Sequence, residues 1–336
     1  MSGGAHREPG DGPGGGASGD TGPGSAGGGA DGGAGAPADW AVVTGASSGI
    51  GEHLARGLAA RGYGLWLVAR STDALERLAG ELRGRHGVPV RVRTCDLADP
   101  AARRALAAEL GGQPVSVLCA NAGFPTCGPF HENDPAQESA QVQVNVVALH
   151  ALTQALLPGM LARRRGGILI TGSTAGCQPV PTAATYAAGK AFANAFAESL
   201  HVELRGSGVR CTLLAPGPVR TGFYAVGGMA RLQERRFLAW LTPERVAEAG
   251  LRGLARGRRV VVPGPVAKAQ YLAGRHTPRA LLFPVLRAVV LPVFRTARTG
   301  SRTRPPAGTP DSRLPHVRGT GQWTAENTGG SSSGRR

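Results

Sequence analysis

The sequence predicts an α/β fold: a doubly wound, Rossmann-like parallel sheet of about seven strands in one domain. Three features carry this. Short apolar runs alternate with helical patterns from Trp40 to Val262. The first run leads straight into a glycine-rich turn and then a helix. Most later runs end in polar or glycine-rich residues. Strands buried on both faces read as continuous apolar runs, and ligands in such sheets bind at the carboxyl ends of the strands.

Trp40-Ala-Val-Val-Thr44 is the first strand. The turn Gly45-Ala-Ser47-Ser48-Gly49-Ile50-Gly51 follows, with a helical pattern to Arg61. Strand, glycine turn and helix together present backbone N–H groups and a helix N-terminus to a phosphate. Leu65–Ala69 is the second strand, and its helix carries Leu75, Leu78 and Leu82. In a βαβ nucleotide site the end of this strand faces the adenosine ribose. A carboxylate there holds a 2′-hydroxyl, and an arginine accommodates a 2′-phosphate. Ala69 and Arg70 stand there without a carboxylate, which favours NADP over NAD.

Val88–Thr94 is the third strand, ending in Cys95-Asp96-Leu97. A helix over Asp99–Leu110 follows, with Asp99 as its N-cap and Pro100 at its first position. Val115–Ala120 is the fourth strand and ends in Asn121-Ala122-Gly123. Pro135–Arg165 reads as one long helix with Asn145 in its middle. Gly167–Thr171 leads to Ser173, Thr182–Arg205 is helical, and Val209–Leu214 ends in Ala215-Pro216-Gly217. Arg258–Val262 is a short seventh strand.

The helix over Thr182–Arg205 contains Tyr186-Ala-Ala-Gly-Lys190. Positions i and i+4 of a helix lie on one face. A neighbouring cation lowers a tyrosine pKa from its usual value near 10, which makes the phenol a proton donor and acceptor. The chain has 38 basic side chains, of which only Lys190 and Lys268 are lysines. A lysine here therefore marks a place where a compact point charge is wanted rather than a planar fork.

The chain has 336 residues. Met1–Asp39 is almost entirely Gly, Ala, Pro, Ser and Asp, and 300–336 is rich in Gly, Ser, Thr, Pro and Arg. Neither composition can bury a core, so both ends read as disordered tails. The first has no apolar run behind a basic start and does not read as a signal peptide. One domain is expected over 40–265, with an apolar and basic extension over 266–299. The five cysteines form no CxxC pair, which points to reduced thiols in the cytoplasm rather than disulfides, and to no metal site. The net charge of +16 resides mostly between the tails. The arginines are scattered, aromatics are few and no binding motif appears, which argues against nucleic acid. An anionic cofactor, an acidic protein or a membrane surface fits this balance.

Taken together, Thr44-Gly-Ala-Ser-Ser-Gly-Ile-Gly51, Asp96, Asn121-Ala-Gly123, Asn145, Ser173, Tyr186-x-x-x-Lys190 and Pro216-Gly217 with Thr221 resemble the short-chain dehydrogenase/reductase family, over roughly Trp40–Pro263. Ala120 stands where the family usually has a first asparagine, and the basic residue its NADP-preferring members often carry in the glycine loop is Ser47 or Ser48 here. The resemblance implies an NADP(H)-dependent oxidoreductase acting on a carbonyl or alcohol. Tyr186 exchanges the proton, Lys190 holds the nicotinamide ribose, Ser173 polarises the substrate oxygen, and Asn145 holds a helix bend and a relay water. It also implies a cofactor bed of Gly45, Ser47, Ser48, Gly49, Ile50, Gly51, Arg70, Asp96, Leu97, Asn121, Ala122, Gly123, Pro216, Gly217, Val219 and Thr221, with Asp96 at the adenine and Thr221 at the carboxamide.

An apolar substrate is expected between Phe124, Pro125, Cys127 and Phe130 on one side and Phe223, Tyr224, Met229, Leu232, Phe237, Leu238 and Trp240 on the other. A carrier-linked 3-ketoacyl reductase and a non-catalytic NADP-binding regulator are the alternatives. A homodimer or homotetramer is expected. The apolar stretch Leu281–Phe294, flanked by Arg275, Arg279, Arg295 and Arg298, packs on the domain, on a second subunit, or against an anionic membrane over 275–298.

Overall fold

The computed structural model describes residues 39–223 and 240–290, with side chains described to residue 288. Among them a seven-stranded parallel sheet has the order β3-β2-β1-β4-β5-β6-β7. Its strands are β1 (Trp40–Thr44), β2 (Gly64–Ala69), β3 (Val90–Thr94), β4 (Val115–Ala120), β5 (Gly166–Thr171), β6 (Val209–Leu214) and β7 (Val260–Val261). The order reverses between β1 and β4, and the crevice outside that point is where such sheets bind ligands. The helices are α1 (Gly49–Ala59), α2 (Thr72–His86), α3 (Pro100–Gly111), α4 (Pro135–Val142), α5 (Leu149–Ala162), α6 (Ala184–Glu203), α7 (Pro243–Ala255), α8 (Pro265–His276) and α9 (Arg279–Val285).

Side chains alternate across a strand, so each strand feeds two cores. Val42, Trp66, Val68, Leu118, Ile168 and Ile170 pack with α3, α5 and α6 on one face. Ala41, Val43, Leu65, Leu67, Cys119 and Leu169 pack with α1, α2 and α7 on the other. That double burial is why β1, β2, β4 and β5 are mostly apolar on both faces. The run Pro135–Ala162 is long and apolar enough to cross a membrane, but Leu149, Leu152, Leu156 and Met160 on it are buried in the sheet-facing core.

Local chemistry sets the helix starts. Asp99 accepts from the Ala101 N–H with Pro100 behind it, as the sequence predicts, and Asp134 does the same for Ala136 before Pro135. Four expectations need correction. The long helix is interrupted: Gln143–Ala148 is a π-helical stretch between α4 and α5, with Asn145 inside it. The helix that carries Tyr186 begins at Ala184, because Thr182 takes φ +69° and its carbonyl accepts from the Gly128 N–H. Asp39 belongs to the domain rather than the tail. Its backbone carbonyl accepts from the Gly64 N–H, and its carboxylate bonds Ser116 and pairs with Arg165. The first helix of the expected extension, α8, also packs as part of the domain, against the turn that begins at Ser173. The tail readings over 1–38 and 300–336 lie outside the described residues.

Candidate active site

Every turn that the sequence singles out lies at the carboxyl edge of the sheet. The glycine turn needs its glycines. Gly45 takes φ +67°, and a Cβ on Gly51 would collide with the Gly45 carbonyl and crowd Asn121. Thr44 and Asn121 tie β1 to β4: the Thr44 hydroxyl accepts from the Asn121 and Ala122 N–H groups at 3.0 Å each. Asn121 Nδ2 donates to the Thr44 carbonyl at 3.1 Å, and its Oδ1 accepts from Thr171 on β5 at 3.2 Å. One side chain thus braces three strand ends beside the glycine turn.

Arg70 follows β2 and is exposed, with no ion-pair or hydrogen-bond partner among the described residues. Asp96 sits after β3, where its carboxylate accepts from the Ala98 N–H at 2.9 Å. Leu97 is buried beneath it. Across the crevice, the Pro216 carbonyl accepts from the Thr174 N–H, and Val219 bridges to Leu241. The Thr221 side chain lies against Gly49. Ser47, Ser48 and Ile50 line the turn itself, which begins α1 at Gly49.

Ser173, Tyr186, Lys190 and Asn145 come together beyond β5. Ser173 caps a single 3-10 turn, Thr174–Cys177: its Oγ accepts from the Ala175 N–H at 3.1 Å. Its side chain also hydrogen-bonds the Tyr186 phenol. Tyr186 and Lys190 project from one face of α6. Lys190, 5% exposed, donates from Nζ to the Thr171 carbonyl at 2.8 Å and lies 6.0 Å from the centre of the Tyr186 ring.

This geometry corrects the expected direction of the tyrosine pKa. Burial pushes the Tyr186 phenol up to about 12, and the hydrogen bond with Ser173 only partly opposes that. Burial also pulls the Lys190 ammonium down to about 8. The ammonium is spent on the Thr171 carbonyl rather than on the phenol, so desolvation governs both groups.

Asn145 grips a neighbouring backbone. Its Oδ1 accepts from the Phe124 N–H and its Nδ2 donates to the Phe124 carbonyl, both at 3.1 Å. The π-helical stretch turns this side chain inward. A small internal cavity of about 10 Å³ lies between Thr44, Asn145, Thr171 and Lys190, room for one water on that measure.

Of the residues expected on one side of the substrate, Pro125 is buried, Phe124 and Cys127 are half-buried, and Phe130 is 66% exposed. Phe223 meets the Tyr186 ring edge-on at 5.6 Å between centroids. Trp240 is half-buried. Tyr224, Met229, Leu232, Phe237 and Leu238 lie outside the described residues.

The structure also assembles polar residues that the sequence reading passed over. Glu138 on α4 is buried and accepts from Thr126 at 2.6 Å and from Asn133 at 2.7 Å. Burial works to raise its pKa, but hydrogen bonds from Thr126, Thr185 and Asn133 hold it below the ordinary carboxylate range. It thereby anchors the Phe124–Phe130 segment beside Thr185, next to Tyr186. Gln141 adds a bond from Nε2 to the Phe124 carbonyl at 3.0 Å. Helical spacing is the signal that would have found Gln141, one turn before Asn145. Glu138 left no such signal, because its partners Thr126, Asn133 and Thr185 lie on other segments of the chain.

A family model described as short chain dehydrogenase matches residues 39–226. The very-long-chain 3-oxoacyl-CoA reductase of Laccaria bicolor is 39% identical over 170 residues, which cover 49% of this chain and 50% of that protein. The human protein of the same description is 33% identical over 187 residues, 54% of this chain and 60% of that one. The chain therefore spans about half the length of the curated relatives it matches. Among solved structures, a short-chain dehydrogenase from Sphingobium yanoikuyae in complex with NADPH has a TM-score of 0.66 at 29% identity, covering 73% of this chain and 95% of that one. One from Burkholderia phymatum in complex with NAD has a TM-score of 0.63 at 27% identity, covering 69% and 91%.

Proposed function

The chain belongs to the short-chain dehydrogenase family, and from that premise we propose that it is an NADP(H)-dependent oxidoreductase acting on a carbonyl or alcohol of an apolar substrate. One observation carries this reading: Ser173 and Tyr186 hydrogen-bond each other at the crevice edge, with Lys190 one turn away on the same helix face. The glycine turn, with Gly45 and Gly49 at positive φ ahead of α1, is the kind of turn that cradles a pyrophosphate, and Arg70, unpaired among the described residues, follows β2 where a 2′-phosphate would lie. Those residues fit NADP, as does the NADPH complex among the structures similar to it.

When bound, the nicotinamide supplies or accepts the hydride. The protein's own part is the proton and the placing of the oxygen. In reduction, the Ser173 hydroxyl donates to the carbonyl oxygen, and Tyr186 gives that oxygen its proton as the alcohol forms. A phenol held near 12 keeps its proton at neutral pH, which suits the reducing direction. Asn145 holds the Phe124 wall and borders the small cavity beside Lys190, where a relay water fits.

A 3-oxoacyl thioester is the substrate class best supported. The relatives named above are described as 3-oxoacyl-CoA reductases, and Phe124, Pro125 and Phe223 offer an apolar wall. The complete Ser–Tyr–Lys set argues against a non-catalytic regulator. Two partners follow as further proposals. Phe192 stacks on Phe196, itself beside His150, on the outer face of α5 and α6, which suits a second copy of the chain. Exposed Leu281, Phe283 and Val285 beside Arg279 suit a peripheral contact with anionic lipid at the cytoplasmic face. Five free cysteines fit that reducing compartment.

The test is NADPH consumption with 3-oxoacyl thioesters of short and long chain. Turnover that improves with chain length is expected. Tyr186→Phe should lower kcat roughly 10²–10⁴-fold while NADPH still binds. A variant that keeps more than a tenth of the wild-type rate would remove Tyr186 as the proton donor.

A further inference from the structure

Asn194 lies four residues after Lys190 and eight after Tyr186, so the three share one face of α6. Its carboxamide reaches the turn that follows β5. Nδ2 donates to the Ser173 carbonyl at 3.0 Å, and Oδ1 accepts from the Ser173 N–H at 3.3 Å. One side chain, 7% exposed, thus holds both backbone polar groups of the residue whose hydroxyl meets the phenol. Nδ2 also approaches Cys177 Sγ, at the far end of the same turn, at 3.6 Å.

The turn is shaped to be held this way. A Cβ on Gly172 would collide with Asn194 Oδ1. A Cβ on Gly176 would stand 2.5 Å from the Lys190 carbonyl group and 2.6 Å from Asn194 Nδ2. Any larger residue at either position would drive the turn off α6. Ser173 Oγ already accepts from the Ala175 N–H, so its hydroxyl proton is left to point toward the phenol and the substrate oxygen. Within the turn, the Ser173 carbonyl accepts from the Gly176 N–H, and among the described residues the Ser173 N–H donates only to Asn194.

We propose that Asn194 is a positioning residue for the reaction, fixing Ser173 so that its hydroxyl meets the substrate oxygen and the Tyr186 phenol together. This rests on the roles of Ser173 and Tyr186 proposed above. A hydrogen bond that stabilises a transition state does so only if the donor is already in place. A displacement of about 1 Å costs up to about 10²-fold in rate. A side chain that acts through Ser173 has nothing left to position once the Ser173 hydroxyl is gone. A side chain that merely stabilises the fold still matters then.

The experiment is a double-mutant cycle on the full chain, reading kcat, KM and NADPH affinity with one 3-oxoacyl thioester. Asn194→Ala is expected to lower kcat about 10- to 100-fold, with KM and NADPH affinity changed far less. Ser173→Ala is expected to lower kcat about 10²–10³-fold. Adding Asn194→Ala to Ser173→Ala should then cost less than about threefold more. Asn194→Asp keeps the volume and the acceptor for the Ser173 N–H but sets an oxygen against the Ser173 carbonyl. It should lose kcat in the same way and can replace the alanine variant throughout the cycle. In an active enzyme, losses that multiply in the double variant, or a wild-type kcat in either Asn194 variant, overturn the positioning role alone. No NADPH-dependent turnover in the wild type, or a full rate in Ser173→Ala, overturns the proposed function and this role with it.

Discussion

Lys190 is buried, donates to Thr171 and has its pKa pulled down to about 8 from 10.5. Between those values the unfolded chain binds more protons than the folded one, so this group's contribution to stability rises with pH across that window. Below about pH 8 both states are charged and the cost of burying the ammonium is present in full. Lys190→Met should therefore melt at a higher temperature than the wild type at pH 7, with the gap closing toward pH 10, and should lose turnover. Equal gaps at both pH values would show that burial does not set this pKa. Lys190→Arg should also lose most activity, because a planar guanidinium does not fit between Tyr186, Thr171 and Gly123. A near-normal rate in that variant would make the scarcity of lysine in this chain uninformative.

The strand-to-helix turns carry the proposed cofactor site, and each is a local device. In that proposal the turn after β2, with Arg70, gives the preference for NADP. A guanidinium binds a phosphate through parallel charge-assisted hydrogen bonds, and bonds to charged groups contribute about 1.5–3 kcal/mol, roughly 10- to 150-fold in affinity. Arg70→Ala should weaken NADPH binding by about that factor and leave NADH binding much less affected. Adding Ala69→Asp should move the preference toward NADH, since a carboxylate repels the phosphate and accepts from a free hydroxyl. The ratio of kcat/KM for NADPH to that for NADH in the three proteins decides it. A wild-type ratio below one, or one that Arg70→Ala leaves unchanged, would return the assignment to NAD. The π-helical stretch is a device of another kind. It lets one helix run past β4 and still turn Asn145 inward onto Phe124.

Across the whole molecule, residues far apart in sequence close the fold at its amino edge. Asp39 meets Gly64, Ser116 and Arg165, which stand at the starts of β2, β4 and β5. Its carboxylate is mostly covered while its arginine partner is largely exposed, so the pair contributes about 1 kcal/mol rather than more. Asp39→Ala should then lower the melting temperature by about 2–4 °C. A deletion that takes Asp39 should cost at least as much, although composition alone assigns Asp39 to the tail. An unchanged melting temperature in both would leave Asp39 outside the domain. At the other edge, α8 is tied to α6 by Arg275 and Tyr271, which bond Glu198 at 2.9 and 3.1 Å.

Strands, turns and the order of the motifs were legible in the sequence, because each depends on neighbours within a few residues. Apolar runs mark strands buried on both faces, Asp99-Pro100 marks a helix start, and glycines mark where backbone must approach backbone. The same local logic placed Tyr186 and Lys190 on one face of a helix. Only the tertiary structure decided what surrounds them. Burial by distant elements reversed the expected shift of the Tyr186 pKa, since desolvation is set by everything packed nearby rather than by one charge a turn away. The grips of Asn145 on Phe124 and of Asn194 on Ser173, the anchoring of the Phe124–Phe130 segment by Glu138, and the place of Asp39 each join residues at least 12 positions apart. Contacts of that kind exist only once the sheet has brought its strands side by side.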